Sequence, residues 1–411
     1  MASAESRVRS ALVGQRAVVA DATTLYRDLH ANPELSGAEH RTAERFAGWL
    51  EADGLDVATQ IGGHGVAALL DNGPGPLVML RAELDALPIA EETDLPYRST
   101  GPVMHACGHD LHMAAVAGAA RLLAATRDAW SGRLLVLGQP AEETLTGARA
   151  MLDDGLFERF GTPDVALAQH AVPLLVGMVA HVAGSVTACA ASIEVVVHGL
   201  GGHAATAELG IDPVVAAAAI VLRLQTIVSR ELPAMEPATL HVGSLRAGTA
   251  GNVMPERATL ELTLRALSDA TLERMLGAVE RIVNAECAAS GCVRPPEIRV
   301  LSRSPVNVND AAAMATTRAA HEAMLGPERV AAWPPSLATE DFPHYAAAGA
   351  ATVYWMLGCV GPEQWKAAAA LPAEERSSAI PGLHSPRFAP DDRTLPFGIA
   401  VMVASALAHL E

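Results

Sequence analysis

Basic residues are scarce in this sequence. Its 29 lysines and arginines stand against 46 acidic residues, a net charge of −17, so it lacks the basic face that nucleic acid or an anionic membrane needs in a partner. Cysteine is scarce too. Cys107, Cys189, Cys287, Cys292 and Cys359 are scattered and odd in number, which does not fit a disulfide framework. The four apart from Cys107 read as small buried apolar residues. Long apolar runs are missing: none reaches the roughly 18 uninterrupted residues of a membrane helix. The best candidates, 214–222 and 397–410, read as helices packed on a core. The opening stretch "MASAESRVRSALVGQR" places Arg7 and Arg9 where a secretion signal has a continuous apolar core. A reduced, cytoplasmic protein is expected. No tandem repeat is present.

What the chain does have is material for a large core: 411 residues, half of them apolar and 18% charged. Two domains are the natural expectation at that length. In the first part, helical patterns alternate with short apolar runs at 77–80, 134–137 and 165–168, which predicts a largely parallel sheet covered on both faces. In such α/β sheets, ligands bind beyond the carboxyl ends of the strands. "RAELD" (81–85), "GQPAEE" (138–143) and "QHA" (169–171) follow the three runs. Three strands therefore deliver charged side chains to one sheet edge.

From about residue 190 the pattern changes. "ASIEVVVHG" (191–199) alternates as a half-exposed strand, and Asp212-Pro213 opens a helix as N-cap and first helical residue. Strands at 239–245 and 258–267, a helix carrying Leu272, Met275, Leu276, Val279, Ile282 and Val283, and a strand at 297–302 complete a βαββαβ order. That is the order of a ferredoxin-like unit. The expected organisation is a catalytic domain of residues 1–187 and 304–411, with an inserted domain of residues 188–303. A further buried strand is expected within 350–359, and the 361–381 segment reads as a surface loop or short helix near the site entrance.

"MHACGHDLHMA" (104–114) concentrates imidazole, thiol and carboxylate immediately before an alanine-rich helical stretch, and such groups are costly to bury unpaired. Taken alone the cluster could be a solvated helix start. Cys107 and His109 are two residues apart, so in an extended segment they point the same way. Thiolate and imidazole suit zinc, manganese, cobalt or nickel better than calcium. Glu143, His170 and His384 raise the donors to five from four segments, enough for a dinuclear site. In the adjacent Glu142–Glu143 pair, neighbouring side chains at a strand end diverge, so one can bind metal while the other faces the substrate. Alone, "EE" would read as a solvated loop, His170 as a core histidine and His384 as a surface one. Asp110 is placed to cap the following helix, and His112 to support the ligands without binding metal.

The segments "RAELDALP", "MHACGHDLHMA", "GQPAEE", "HGLGGHAA" (198–205), "NVMPE" (252–256), "TEDF" (339–342) and "GLHSP" occur in the order seen in the aminoacylase and carboxypeptidase metallopeptidase family. The chain most resembles its subgroup of hippurate hydrolases and auxin-conjugate hydrolases, from about residue 25 onward. The resemblance implies an α/β catalytic domain with a mostly parallel sheet and an inserted ferredoxin-like dimerisation or lid domain. It also implies two divalent ions (manganese, zinc, cobalt or nickel) held by Cys107, His109, Glu143, His170 and His384, with Cys107 bridging.

By the same resemblance Glu142 is the general base, Asp85 orients a ligand, and His203 reaches the partner subunit's active site to stabilise the oxyanion. Asn252 and Arg265 are substrate-contacting groups, and a homodimer or higher homo-oligomer is implied. Glu83 stands where the subgroup has aspartate, Leu111 where glycine is common, and Ala207 and Glu208 where a Pro-His pair is usual. None of these changes removes a ligand. His30, in "LHANPELS", matches a structural motif. The expected activity is hydrolysis of the amide of a small N-acyl amino acid. A dipeptidase or carboxypeptidase with the same site, and a metal- or ligand-binding protein that has lost catalysis, are the alternatives.

Overall fold

A computed structural model describes residues 4–410 apart from 373, 374, 377 and 378. Two compact units are present. One comprises Met1–Gly184, Val308–Pro334 and Asp341–Glu411; the other comprises Ser185–Asn307 and Pro335–Glu340.

The first unit holds an eight-stranded sheet. From edge to edge its strands are Asp56–Ile61, Gly65–Asn72, Gly132–Gln139, Leu77–Glu83, Val165–Leu175, Ala351–Val360, Val179–His181 and Val330–Ala332. The four strands from Gly132–Gln139 to Ala351–Val360 are mutually parallel, while Asp56–Ile61, Gly65–Asn72 and Val179–His181 pair antiparallel with a neighbour. The α/β class with a mostly parallel centre is as expected from the sequence. Leu77–Glu83 is buried at every residue, which explains its unbroken apolar run: a strand covered on both faces has no solvent side to make polar. The covering helices include His109–Ala125 and Thr394–His409, both almost wholly buried.

The main sheet of the second unit has an antiparallel path of four strands in the order Glu297–Ser304, Ser185–His198, Arg257–Ala266, Ala238–Ala247. The helices Pro213–Thr226 and Asp269–Ala289 contribute Ala216, Ile220, Leu224, Leu272, Met275, Val279 and Ile282 to its core. Asp212 caps the first of them, accepting a hydrogen bond from the Val214 amide at 2.8 Å. That helix and the π turn after it make 19 residues long and apolar enough to cross a membrane by length and composition, but its inner face packs in the unit's core. The strand Ser336–Thr339 adds to Ser185–His198 in parallel; nothing in the sequence pattern had indicated this second return to the unit.

All five cysteines are free. In the 361–381 segment, Pro362–Ala369 is helical, and residues 373, 374, 377 and 378 lie outside the described residues.

Candidate metal centre

The carboxyl ends of three adjacent parallel strands supply the site. Leu77–Glu83 leads into Asp85, Gly132–Gln139 into Glu142 and Glu143, and His170 lies within Val165–Leu175. The helix His109–Ala125 begins at the same edge. His384 is brought there by a turn whose backbone amide donates to the Ala106 carbonyl at 2.8 Å, and it has a positive φ of 63°. Its side chain is 52% exposed and is the open side of the cluster.

Two local expectations are corrected. Cys107 and His109 are not in an extended segment. Gly108 lies between them at φ 82° and occupies the N-cap position of the helix that starts at His109. The donors converge because this left-handed residue, which glycine adopts without a Cβ penalty, turns the chain between them. Asp110 is accordingly a first-turn residue and not the cap: its carboxylate accepts from the Leu111 amide at 2.9 Å and pairs with His30 Nδ1 at 2.7 Å. A third difference concerns Glu142 and Glu143, which lie in a turn past the strand end rather than on the strand. Ala141 and Leu145, both at positive φ, bound that turn.

Among the predicted ligands and Glu142, three overlapping sets of donors form, each with its ligand atoms within 4.8 Å of one another: Cys107, His109 and His170; Cys107, Glu143 and His384; His109, Glu142 and Glu143; a carboxylate oxygen of Asp341 also lies within 4.8 Å of one of Glu142. Cys107, His109 and Glu143 each belong to two of them. Its Sγ is 3.5 Å from His170 Nε2, His384 Nε2 is 3.5 Å from Glu143 Oε1, and His109 Nε2 is 3.8 Å from Glu142 Oε2. Asp85 holds two members at once, with Oδ1 3.3 Å from His109 Nδ1 and Oδ2 accepting the Glu143 amide at 2.9 Å. His109 Nδ1 also faces the Asp85 carbonyl at 2.8 Å, which leaves Nε2 as the free ring nitrogen.

The chemistry of this donor set fits divalent transition metals. His109 Nε2 and Glu143 Oε1 are buried with no hydrogen-bond partner, a costly state that a bound cation relieves. Burial pushes the Cys107 thiol up, but the imidazoles of His170 and His109 outweigh it and bring the thiol down to about 6. It is thereby biased toward thiolate, the form that binds metal. Burial raises the Glu143 carboxyl, and His384 and His109 pull it below its ordinary range.

His112 is excluded as a ligand by its own bonds: Nδ1 meets Glu83 Oε2 at 2.8 Å, and Nε2 accepts from the Ala171 amide at 2.9 Å. Burial takes it down to about 4, partly opposed by Glu83, so the ring is neutral. His30 is likewise used up, between Asp110 and Glu91 at 3.1 Å. The sequence reading missed Arg81 and Asp341, both fully buried and paired at 3.0 Å. An arginine at the end of an otherwise apolar buried strand was the signal that could have found them.

His203, Asn252 and Arg265 belong to the second unit. His203 is exposed, and its Nδ1 accepts from the Ala205 amide at 3.1 Å. Val253 pairs with His203 across a short antiparallel bridge, and the Asn252 carbonyl accepts from the Ala204 amide at 3.2 Å, so these two predicted residues lie side by side. Arg265 Nη1 donates to the Leu337 carbonyl at 2.9 Å.

With this edge described, the class is that of hydrolases built around clustered metal ligands on an α/β sheet. The model of peptidase family M20/M25/M40 matches residues 79–381, and the chain belongs to that family. It is a metal-dependent amidohydrolase. Among its relatives, IAA-amino acid hydrolase ILR1-like 2 of Arabidopsis thaliana is 31% identical over 388 residues, 94% of this chain and 84% of that protein. Hippurate hydrolase of Campylobacter jejuni is 39% identical over 246 residues, 59% of this chain and 63% of that one. The crystal structure of the Bacillus subtilis YXEP protein, described as a dinuclear metal binding peptidase, matches with a TM-score of 0.76 at 27% identity, covering 95% of this chain and 98% of that one.

Proposed function

We propose that the chain hydrolyses the amide joining an acyl group to an amino acid, with Cys107, His109, Glu143, His170 and His384 holding two divalent ions. The observation that carries this reading is the convergence of all five side chains in donor sets that share members, Cys107 lying in both sets that hold His170 and His384. Bound ions would polarise the amide carbonyl and ease deprotonation of water. Glu142, beside His109 at the edge of the ligand cluster, takes the proton of the attacking water and passes it to the departing amine. Asp85 keeps the His109 proton on Nδ1 and so presents Nε2 to the ions.

His203 acts in trans in this reading. Because its Nδ1 accepts a backbone hydrogen bond, the ring proton sits on Nε2, where it is available to donate to an oxyanion. A second copy is supported by the Ala238–Ala247 strand, which is an unpaired sheet edge, and by exposed Leu209, Val215, Leu222, Leu245 and Val253 in the same unit. Edges of this kind are covered in native proteins, most simply by a twofold-related copy. Asn252, beside His203, is assigned to the substrate. Arg265 is assigned to the substrate through the guanidinium nitrogens other than Nη1, which the Leu337 carbonyl holds.

The test is a panel of N-acyl amino acids and dipeptides assayed with added manganese, zinc, cobalt or nickel. Metal-stimulated turnover of N-acyl amino acids above dipeptides is expected. Dipeptide preference would make the chain a peptidase, and substrate binding without turnover of either class would make it a binding protein.

A further inference from the structure

His112 lies one helical turn beyond His109 and so on the same face, with its ring centroid 4.7 Å from that of His170. Both its nitrogens are committed, and the chain of contacts they close runs through buried ion pairs to Asp341. Asp341 accepts from Arg81 Nη2 at 3.0 Å, from Gln139 Nε2 at 2.7 Å and from the Ala148 amide at 2.9 Å. Arg81 pairs in turn with Glu83, and Glu83 Oε2 with His112 Nδ1 at 2.8 Å. All four side chains are at most 1% exposed.

The far end of this chain is the backbone of Ala171. The ladder between Leu77–Glu83 and Val165–Leu175 stops at the Arg81–Ala168 pair, and beyond it the Ala171 N–H donates to His112 Nε2 at 2.9 Å. The Ala171 carbonyl faces His170 Nδ1 at 2.8 Å. The His170 proton is therefore held on Nδ1, and Nε2, 3.5 Å from Cys107 Sγ, is left as the donor.

We infer that His112 is a positioning residue: through the backbone of Ala171, whose N–H it holds and whose carbonyl faces His170 Nδ1, it ties the fixed Asp341–Arg81–Glu83 ion network to His170, setting the orientation and tautomer of that ring opposite Cys107. The inference rests on the proposed ligand set. It explains why a buried imidazole is used here without binding metal, and why Glu83, a methylene longer than aspartate, spans Arg81 and His112 together.

The test is binding of cobalt(II) alone to metal-stripped full-length protein, followed by dialysis and by the cobalt–thiolate absorption band. His112→Phe keeps the ring's bulk and removes both hydrogen bonds. It should weaken cobalt binding ~10–100-fold, the usual cost of losing a group that orients a ligand, and shift the thiolate band. His112→Gln, whose amide can donate to Glu83 and accept from Ala171, should recover most of the affinity. His321→Phe, a comparably buried change away from the ligands, should leave the band unchanged.

Wild-type affinity and spectrum in His112→Phe would overturn the inference, as would an equal loss in His321→Phe. Cys107→Ala separates the two levels. If it retains cobalt and the band, the ligand set itself is wrong; if it loses them while His112→Phe does not, only the positioning role fails.

Discussion

The two units of this chain use polar residues in opposite ways. In the first, Asp85, His109, His170 and Glu142 are buried at a sheet edge, and His109 lies within 4.8 Å of each of the other three. In the second, His203 is exposed in a two-residue strand and Asn252 in the turn beside it, and the open sheet face carries surface pairs such as Arg246–Glu261 and Arg299–Glu194. A buried cluster has its geometry fixed by the fold and can be complete within one chain. An exposed imidazole has direction but no substrate-facing enclosure of its own, so its use depends on what docks against it.

The largest expected effect falls on the buried side. Removing divalent ions with a chelator should abolish turnover while circular dichroism stays close to native, because the parallel sheet has its own core and does not rely on metal to fold as small zinc domains do. Glu142→Gln should retain metal and lower turnover ~10²–10⁴-fold, the usual range for a lost general acid–base group. Near-native turnover with unchanged metal content would remove Glu142 from the mechanism.

On the exposed side, His203→Ala should cost ~10²–10³-fold in turnover with little change in stability. Mixing inactive His203→Ala chains with inactive Glu142→Gln chains should restore part of the activity, since a hybrid dimer has one site with both residues intact. No recovery despite verified subunit exchange would return His203 to its own chain.

A smaller effect concerns a second buried histidine pair in the first unit, outside the predicted ligand set. His181 Nε2 and His321 Nδ1 are 3.0 Å apart, and His321 Nε2 reaches Ser405 Oγ at 2.8 Å. Burial lowers His181 to about 4, helped by Arg318, and His321 to about 3, helped by His181. The unfolded chain then takes up protons first. Stability should be unaffected by this pair above pH 6.5 and should fall as the pH drops from there toward 4, by at most about 1.4 kcal/mol per group per pH unit. Melting temperatures between pH 7 and pH 5 check it, and His181→Leu combined with His321→Leu should flatten the decline.

The smallest effect sharpens the contrast between units. A Cβ on Gly202 meets nothing within 4 Å, so Gly202→Ala should change the stability of the chain by less than about 0.5 kcal/mol. Weakened self-association in sedimentation would identify this turn as a place of close approach by another copy.

Much of the first unit was legible in the sequence because strand ends carry chemistry in order: "RAELD", "GQPAEE" and "QHA" each follow an apolar run, and the fold needs only to set three strands side by side. The βαββαβ order of the second unit was legible from period-two and 3.6-residue patterns. Other features depended on backbone geometry or distant partners. The turn at Gly108 replaces an extended pair by a left-handed residue, and helix starts are set by such local conformations more than by the next acidic side chain. The role of "TEDF" was hidden because Asp341 meets Arg81 across 260 positions, and a long-range ion pair leaves no local period.

The central claim is that one thiolate joins two ions, and elemental analysis of metal per chain in active wild-type protein and in Cys107→Ala tests it most directly. Two ions per chain are predicted in the wild type, with one or none and no turnover in the variant. Full activity without bound metal, or two ions retained in Cys107→Ala, would contradict it.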